Sequence, residues 1–209
     1  MAIGVFILGH SGSGKSFSLH NLDPANVAVI NVVGKPLPFK NGKNFKMVTT
    51  DDANWICQKL PTIKEPIVVI DDFQYIMANE FMRNSDVKGF DKFTSIGRNA
   101  WNILNTISHG MKDYQRVYIL SHTEETATGG TKIKTIGKML DEKITPEGMV
   151  SIVLQTKVDD GKNYFLTQNN GANTVKTPFE MFDDALIPND LKFVDGAICD
   201  YYGITGEQS

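Results

Sequence analysis

The stretch Ile3-Gly4-Val5-Phe6-Ile7-Leu8-Gly9-His10-Ser11-Gly12-Ser13-Gly14-Lys15-Ser16 decides how the chain reads. Its first six residues form an apolar run with β-branched members, short enough for a buried strand. The next eight satisfy G-x-x-x-x-G-K-[ST]. Glycines let the backbone curl so that successive N–H groups point inward, and an inward ring of N–H groups holds phosphate oxygens. Lys15 opens a short helix expected to end near Asn21 and Pro24, and its positive dipole end adds to the cradle. Strand, loop and helix in this order predict a seat for a nucleoside triphosphate tail, ATP with Mg²⁺. Its residues are Gly9, Ser11, Gly12, Ser13, Gly14, Lys15, Ser16 and Phe17. Lys15 is expected to reach the β and γ phosphates and the Ser16 hydroxyl to ligate Mg²⁺.

Downstream, strands alternate with helices. Val27 to Val33 reads as a buried strand, and Phe45 to Thr49 as a short one. Asp51-Asp52 start a helix running to Leu60, because acids favour the positive end of the helix dipole. Pro66 to Ile70 is apolar on both faces, as a central parallel strand must be. It is expected beside the phosphate-loop strand, delivering Asp71 to the Mg²⁺ shell. Asp72 is then placed to polarise the attacking water, although an acid here also serves as a strand-end helix cap. Phe93 to Ile107 keeps helical spacing up to Gly110, and Val117 to Leu120 is the next strand. His122, just past that strand, is expected to sense the γ phosphate or to be structural. Glu124 to Lys134 reads as a polar, mobile segment. Ser151 to Val158 and Asn163 to Gln168 flank Asp159-Asp160-Gly161-Lys162, a hairpin turn. The whole is an α/β fold: one domain over 1–209, a mostly parallel sheet flanked by helices, with a C-terminal antiparallel hairpin edge.

Bulk properties narrow the function. A net charge of −3 excludes a uniformly basic nucleic-acid binder but leaves room for a local basic loop. Cys57 and Cys199 lie far apart with no CxxC, so neither a zinc site nor a disulfide framework is indicated. Met1-Ala2-Ile3 lacks a charged n-region, and no apolar run approaches the roughly 20 residues that span a bilayer. A soluble cytoplasmic protein is expected, with no membrane partner. The four histidines show no ligand spacing and no G-x-S-x-G elbow occurs. The only arginines are Arg83, Arg98 and Arg116, few and scattered for a nucleotide kinase, which clamps phosphates with several.

The phosphate loop near the N-terminus, Ile67 to Asp72, Val117 to His122, Gly137-Lys138-Met139-Leu140 and Thr174-Val175-Lys176-Thr177-Pro178 together resemble the phage-type RecA-core ATPases that act as single-strand annealing recombinases. The resemblance spans nearly the whole chain. It implies a RecA-like sheet, Mg²⁺-dependent ATP hydrolysis, ATP at the interfaces of a homo-oligomer, and single-stranded DNA as partner. A single-strand DNA-binding protein as a further partner, and host cytoplasm for a phage-encoded chain, belong to the same picture. Lys176 matches the position of a lysine that a neighbour lends to the γ phosphate; as a turn residue it can equally be an exposed lysine. Two departures matter. Asn31-Val32-Val33-Gly34 stands where RecA-like proteins usually carry a water-activating Glu, and no N-terminal extension for polymerisation precedes the first strand. A nucleotide-gated loader or assembly factor with weak hydrolysis therefore stands as the alternative, ahead of a small-molecule kinase. Candidate DNA contacts are Lys35, Lys40 and Lys43, in a loop with Phe39 and Phe45 for base stacking, and Lys132 and Lys134 near Lys138. Taken singly, each loop also reads as a solvated surface.

Overall fold

The computed structural model describes residues 1–205; residues 206–209 of the expected domain lie outside them. In chain order the strands and helices begin with β1 (Ile3–Leu8), β2 (Val27–Asn31), β3 (Lys46–Thr49), α1 (Ala53–Lys59) and β4 (Ile67–Asp71). Then come α2 (Gln74–Arg83), α3 (Asp91–Gly110), β5 (Arg116–Ser121), β6 (Thr123–Glu125) and β7 (Thr131–Ile133). Last are β8 (Ile152–Asp159), β9 (Lys162–Leu166), β10 (Leu186–Pro188) and α4 (Leu191–Tyr202). Eight strands form one mixed sheet in the order β10-β9-β8-β1-β5-β4-β2-β3, and β6 and β7 pair as a separate hairpin. From β8 to β3 every pairing is parallel, whereas β9 and β10 add antiparallel strands on one side. The expected α/β fold with a mostly parallel sheet and an antiparallel edge is what the chain adopts.

The central strands are buried on both faces, which explains their unbroken apolar runs. Along β1, Phe6 and Leu8 enter one core cluster while Val5 and Ile7 enter the other. The same alternation divides Val68 and Ile70 from Val69 in β4, and Val117 and Ile119 from Tyr118 and Leu120 in β5. Helices α1, α2 and α3 supply Ile56, Ile76, Ile103 and Leu104 to the first cluster, and α4 supplies Val194 and Ile198 to the second. Parallel registry sets Leu8 level with Ser121 and Asn31 level with Asp71. Four strands thus deliver their last residues to one edge of the sheet, where ligands of open α/β sheets sit.

Three expectations change. The strand ending in Asp71 is not next to β1, because β5 lies between them. The segment from Glu124 to Lys134 is not loose. It forms the β6–β7 hairpin, and Thr131 N–H donates to Ala172 O at 2.7 Å while its hydroxyl donates to Gln155 Oε1 at 3.0 Å. The turn after the phosphate loop is a 3₁₀ helix of six residues, Ser16–Asn21, too short and tightly wound to carry much dipole. The helix begun by acids is present, but Asp52 acts by capping: its Oδ1 accepts from Asn54 N at 2.9 Å and Trp55 N at 3.1 Å. Helices α2 and α4 and strand β10 were not anticipated. Among the described residues no helix is long and apolar enough to cross a membrane.

Candidate functional site

Between β1 and the 3₁₀ turn the chain makes a tight loop whose geometry requires its glycines. Gly12 and Gly14 adopt φ of +76° and +95°. Gly9 leaves its Cβ position to Thr156 Oγ1, which would lie 1.8 Å away. The Thr156 hydroxyl donates to Leu8 O at 3.2 Å and shares a 2.6 Å hydrogen bond with Ser13 Oγ. The Ser13 side chain is therefore a strut beneath the loop, tying it to β8. Ser11, Gly12, Gly14, Lys15, Ser16 and Phe17 line the cleft above, a cavity of about 420 Å³ closed by Lys35, Pro36, Pro38, Asp71, Asp72, His122 and Asn163.

Lys15 is buried and folds back over the loop, its Nζ donating to Gly9 O and His10 O at 2.9 Å each. Burial pushes its pKa down to about 8, against the pull of Asp72 and Asp71. An ammonium held this way gains when an anion arrives to compensate its desolvation. The Ser16 hydroxyl donates to Asp71 Oδ1 at 2.9 Å, across 55 residues of chain. Burial, with Asp72 next door, raises the Asp71 carboxyl to about 6. Asp72 stands at φ +66°, a left-handed conformation costly for a residue with a side chain, found where surrounding structure enforces it. Its carboxylate meets His122 Nε2 at 3.4 Å and Lys35 Nζ at 3.3 Å. Burial pushes the Asp72 carboxyl up, but the hydrogen bond to His122 and the charge of Lys35 outweigh it, leaving it below the ordinary range.

The fit of this site to Mg²⁺ rests on its donors. Ser16 Oγ and Asp71 Oδ1 are hard oxygen ligands already in contact. Among the described residues no cluster of three or more His, Cys, Asp or Glu is arranged for a metal. One hydroxyl and one carboxylate suit a cation that keeps several waters and takes substrate phosphates as ligands.

A scan against protein-family models gives no match, and a search of curated proteins finds no relative.

The remaining sequence-derived positions divide. Asp72 and His122 join Lys15, Ser16 and Asp71 in one cleft. Lys176, expected to serve a neighbour's γ phosphate, lies outside this cleft: its backbone pairs with Val153, the second residue of β8, on the level of Phe6. Lys35, read as a DNA contact, turns into the cleft instead. Lys132 is tied to Asp141 and lies 3.6 Å from Glu124, so its charge is engaged by carboxylates of this chain. Phe39 and Phe45 meet edge to face at 5.7 Å; Phe45 is buried in the core and Phe39 is half-buried against it, so only Phe39 keeps an accessible ring surface. Lys40, Lys43 and Lys134 are exposed.

Several site residues escaped the sequence reading. Asn31 Nδ2 donates to Lys35 O at 2.6 Å and its Oδ1 accepts from Gly34 N at 2.7 Å, building the turn that aims Lys35. Gln74 Oε1 accepts from His122 N at 3.2 Å and Ser121 Oγ at 3.4 Å. Asn163 lines the cleft, and Asn189 lies beside Gly14 with both amide atoms buried and unpartnered among the described residues. Only the N-V-V-G-K turn carries a local signal, an Asn three residues before a Gly.

Proposed function

We propose that the chain is an Mg²⁺-dependent ATPase of the RecA-like type, working on single-stranded DNA. The observation that carries the ATPase reading is the convergence of Lys15, the Ser16–Asp71 pair and the Asp72–His122 pair on one glycine-built loop. The loop amides and Lys15 take the phosphates. Ser16 and Asp71 would hold Mg²⁺, which would supply neutralisation of phosphate charge. Asp72 accepts the proton of the attacking water, and His122 fixes the Asp72 carboxylate. The water oxygen bonds to the γ phosphorus, the bond from that phosphorus to the bridging oxygen breaks, and its electron pair leaves with ADP. DNA enters this reading through the sequence resemblance. The hairpin supports it, because Lys134 N–H donates to His122 O at 2.8 Å and so links a basic loop to the γ-phosphate side.

Turnover of ATP with and without single-stranded DNA tests the proposal, with Lys15→Ala as control. The expected result is Mg²⁺-dependent hydrolysis that DNA stimulates and Lys15→Ala abolishes. Tight ATP binding without turnover under any condition supports the nucleotide-gated loader instead. Absence of any magnesium-dependent affinity for a triphosphate removes both.

A further inference from the structure

Lys35 follows a turn built with unusual care for an exposed lysine. The buried Asn31, last residue of β2, grips both Gly34 N and Lys35 O. Gly34 takes φ +78°, and a Cβ there would press on Thr49 Cγ2 at 3.0 Å. Pro36 follows and stiffens the exit. The backbone thus points the Lys35 side chain across the cleft, where Nζ reaches Asp72 Oδ2 at 3.3 Å and lies 5.6 Å from the centre of the Tyr75 ring. Lys15 approaches the same cleft from the loop side.

Resting on the ATPase reading above, we propose that Lys35 is a catalytic residue supplied by this same chain, which leaves Asp72 for the γ phosphate when ATP binds. Two features make the transfer easy. The Lys35 side chain is 62% exposed while that of Asp72 is 12% exposed, so the ion pair is well screened and cheap to break. A γ phosphate carries more negative charge than one carboxylate and accepts several hydrogen bonds, so it outcompetes Asp72 for the ammonium. While Lys35 and His122 both engage Asp72, one on each oxygen, the carboxylate is a weaker base toward water. Departure of Lys35 frees Oδ2 and leaves His122 on Oδ1. One movement then neutralises the transferring phosphoryl group and releases the base, so ADP, lacking the γ phosphate, leaves the pair closed. This assigns to the turn after β2 a cation where the RecA-like proteins that the sequence resembles are expected to carry a water-activating acid.

The experiment compares wild type, Lys35→Ala, Lys35→Arg and the surface control Lys64→Ala for ATP affinity, ADP affinity, steady-state turnover and Tm. Lys35→Ala is expected to keep its Tm and ADP affinity, to lose about tenfold of its preference for ATP over ADP, and to turn over about 100-fold slower. Lys35→Arg is expected to recover part of both, and Lys64→Ala to match wild type. Wild-type protein that binds or hydrolyses ATP no differently from Lys35→Ala overturns the role of Lys35 and leaves the ATPase reading standing. Wild-type protein that binds no triphosphate overturns both.

Discussion

At Gly9 a Cβ atom would meet Thr156 Oγ1 at 1.8 Å and Ser13 Oγ at 2.7 Å, so Gly9→Ala must push β8 and the phosphate loop apart. A cost of about 1–3 kcal/mol is expected from such overpacking. Gly12 has φ +76° but nothing near its Cβ position, so Gly12→Ala bears only backbone strain, about 1 kcal/mol. Urea unfolding of the two variants checks the ranking. Charge at the same loop gives a pH signature. The folded protein holds a proton on Asp71 up to about pH 6, whereas the ordinary value is 3.8, so the native state binds more protons in that window. The contribution of Asp71 to the stability of the nucleotide- and metal-free protein therefore falls as pH rises from about 4 to about 6. Asp71→Asn keeps an oxygen for Ser16 and removes the ionisation. At pH 7 it is expected to be more stable than wild type by about 1–3 kcal/mol, with the gain vanishing below pH 4. Lys15 adds the opposite limb: below about pH 8 it is charged at the full cost of burial, and that stability is regained between about 8 and 10.5 as the folded state loses the proton first. Denaturant melts across pH with chelator present test both. A stability difference between Asp71→Asn and wild type that stays flat between pH 4 and 6 contradicts the Asp71 assignment.

Elements anchored by neighbours in sequence differ from those anchored across the fold. Helix α1 spans only seven residues and depends on the Asp52 cap, so Asp52→Ala is expected to cost about 1 kcal/mol in denaturant unfolding. Helix α4 is fixed to the start of β5 by a buried network. Arg116 Nε and one terminal nitrogen donate to the two Asp195 oxygens at 2.9 and 2.7 Å, and Tyr118 OH donates to Oδ1 at 2.6 Å. Asp195→Ala strands a buried guanidinium and is expected to cost about 3–5 kcal/mol, measured the same way. These cases show what the sequence could disclose. The apolar runs of β1, β4 and β5, the Asp52 start and the Asp159–Lys162 turn were legible because each signal is local. The insertion of β5 between β1 and β4 was not, since no local pattern fixes the lateral order of parallel strands. Thr156 under Gly9, separated from Ser13 by 143 positions, had no signal either. The hairpin after β5 read as mobile because Thr, Gly and Lys there gain order from partners distant in sequence, among them Gln155, Ala172 and Glu147. The direction of Lys35 was not legible for a related reason: it is set by Asn31 and not by the basic character of its loop.

Over the whole molecule, the net charge of −3 repels a polyanion at long range, so the proposed DNA binding would rest on a few local cations and weaken with salt. Lys35 is engaged by Asp72, Lys46 by Glu65 at 2.6 Å, and Lys132 by Asp141. Lys40, Lys43 and Lys134 remain, the first two in the loop whose Pro36 and Pro38 wall the cleft and the third bonded through its backbone to His122. Three phosphate contacts to single-stranded DNA give a slope of log affinity on log salt of about −2. Neutralising Lys40, Lys43 and Lys134 together is expected to flatten that slope to near zero. Lys132→Ala is expected to leave it unchanged, because removing Lys132 removes no free charge from the surface. Salt titrations of binding to a labelled oligothymidylate distinguish the two. If Lys132→Ala alone flattened the slope, the hairpin would have to open on DNA and release Lys132 from Asp141, and the contact surface would lie along β7 and not over the cleft.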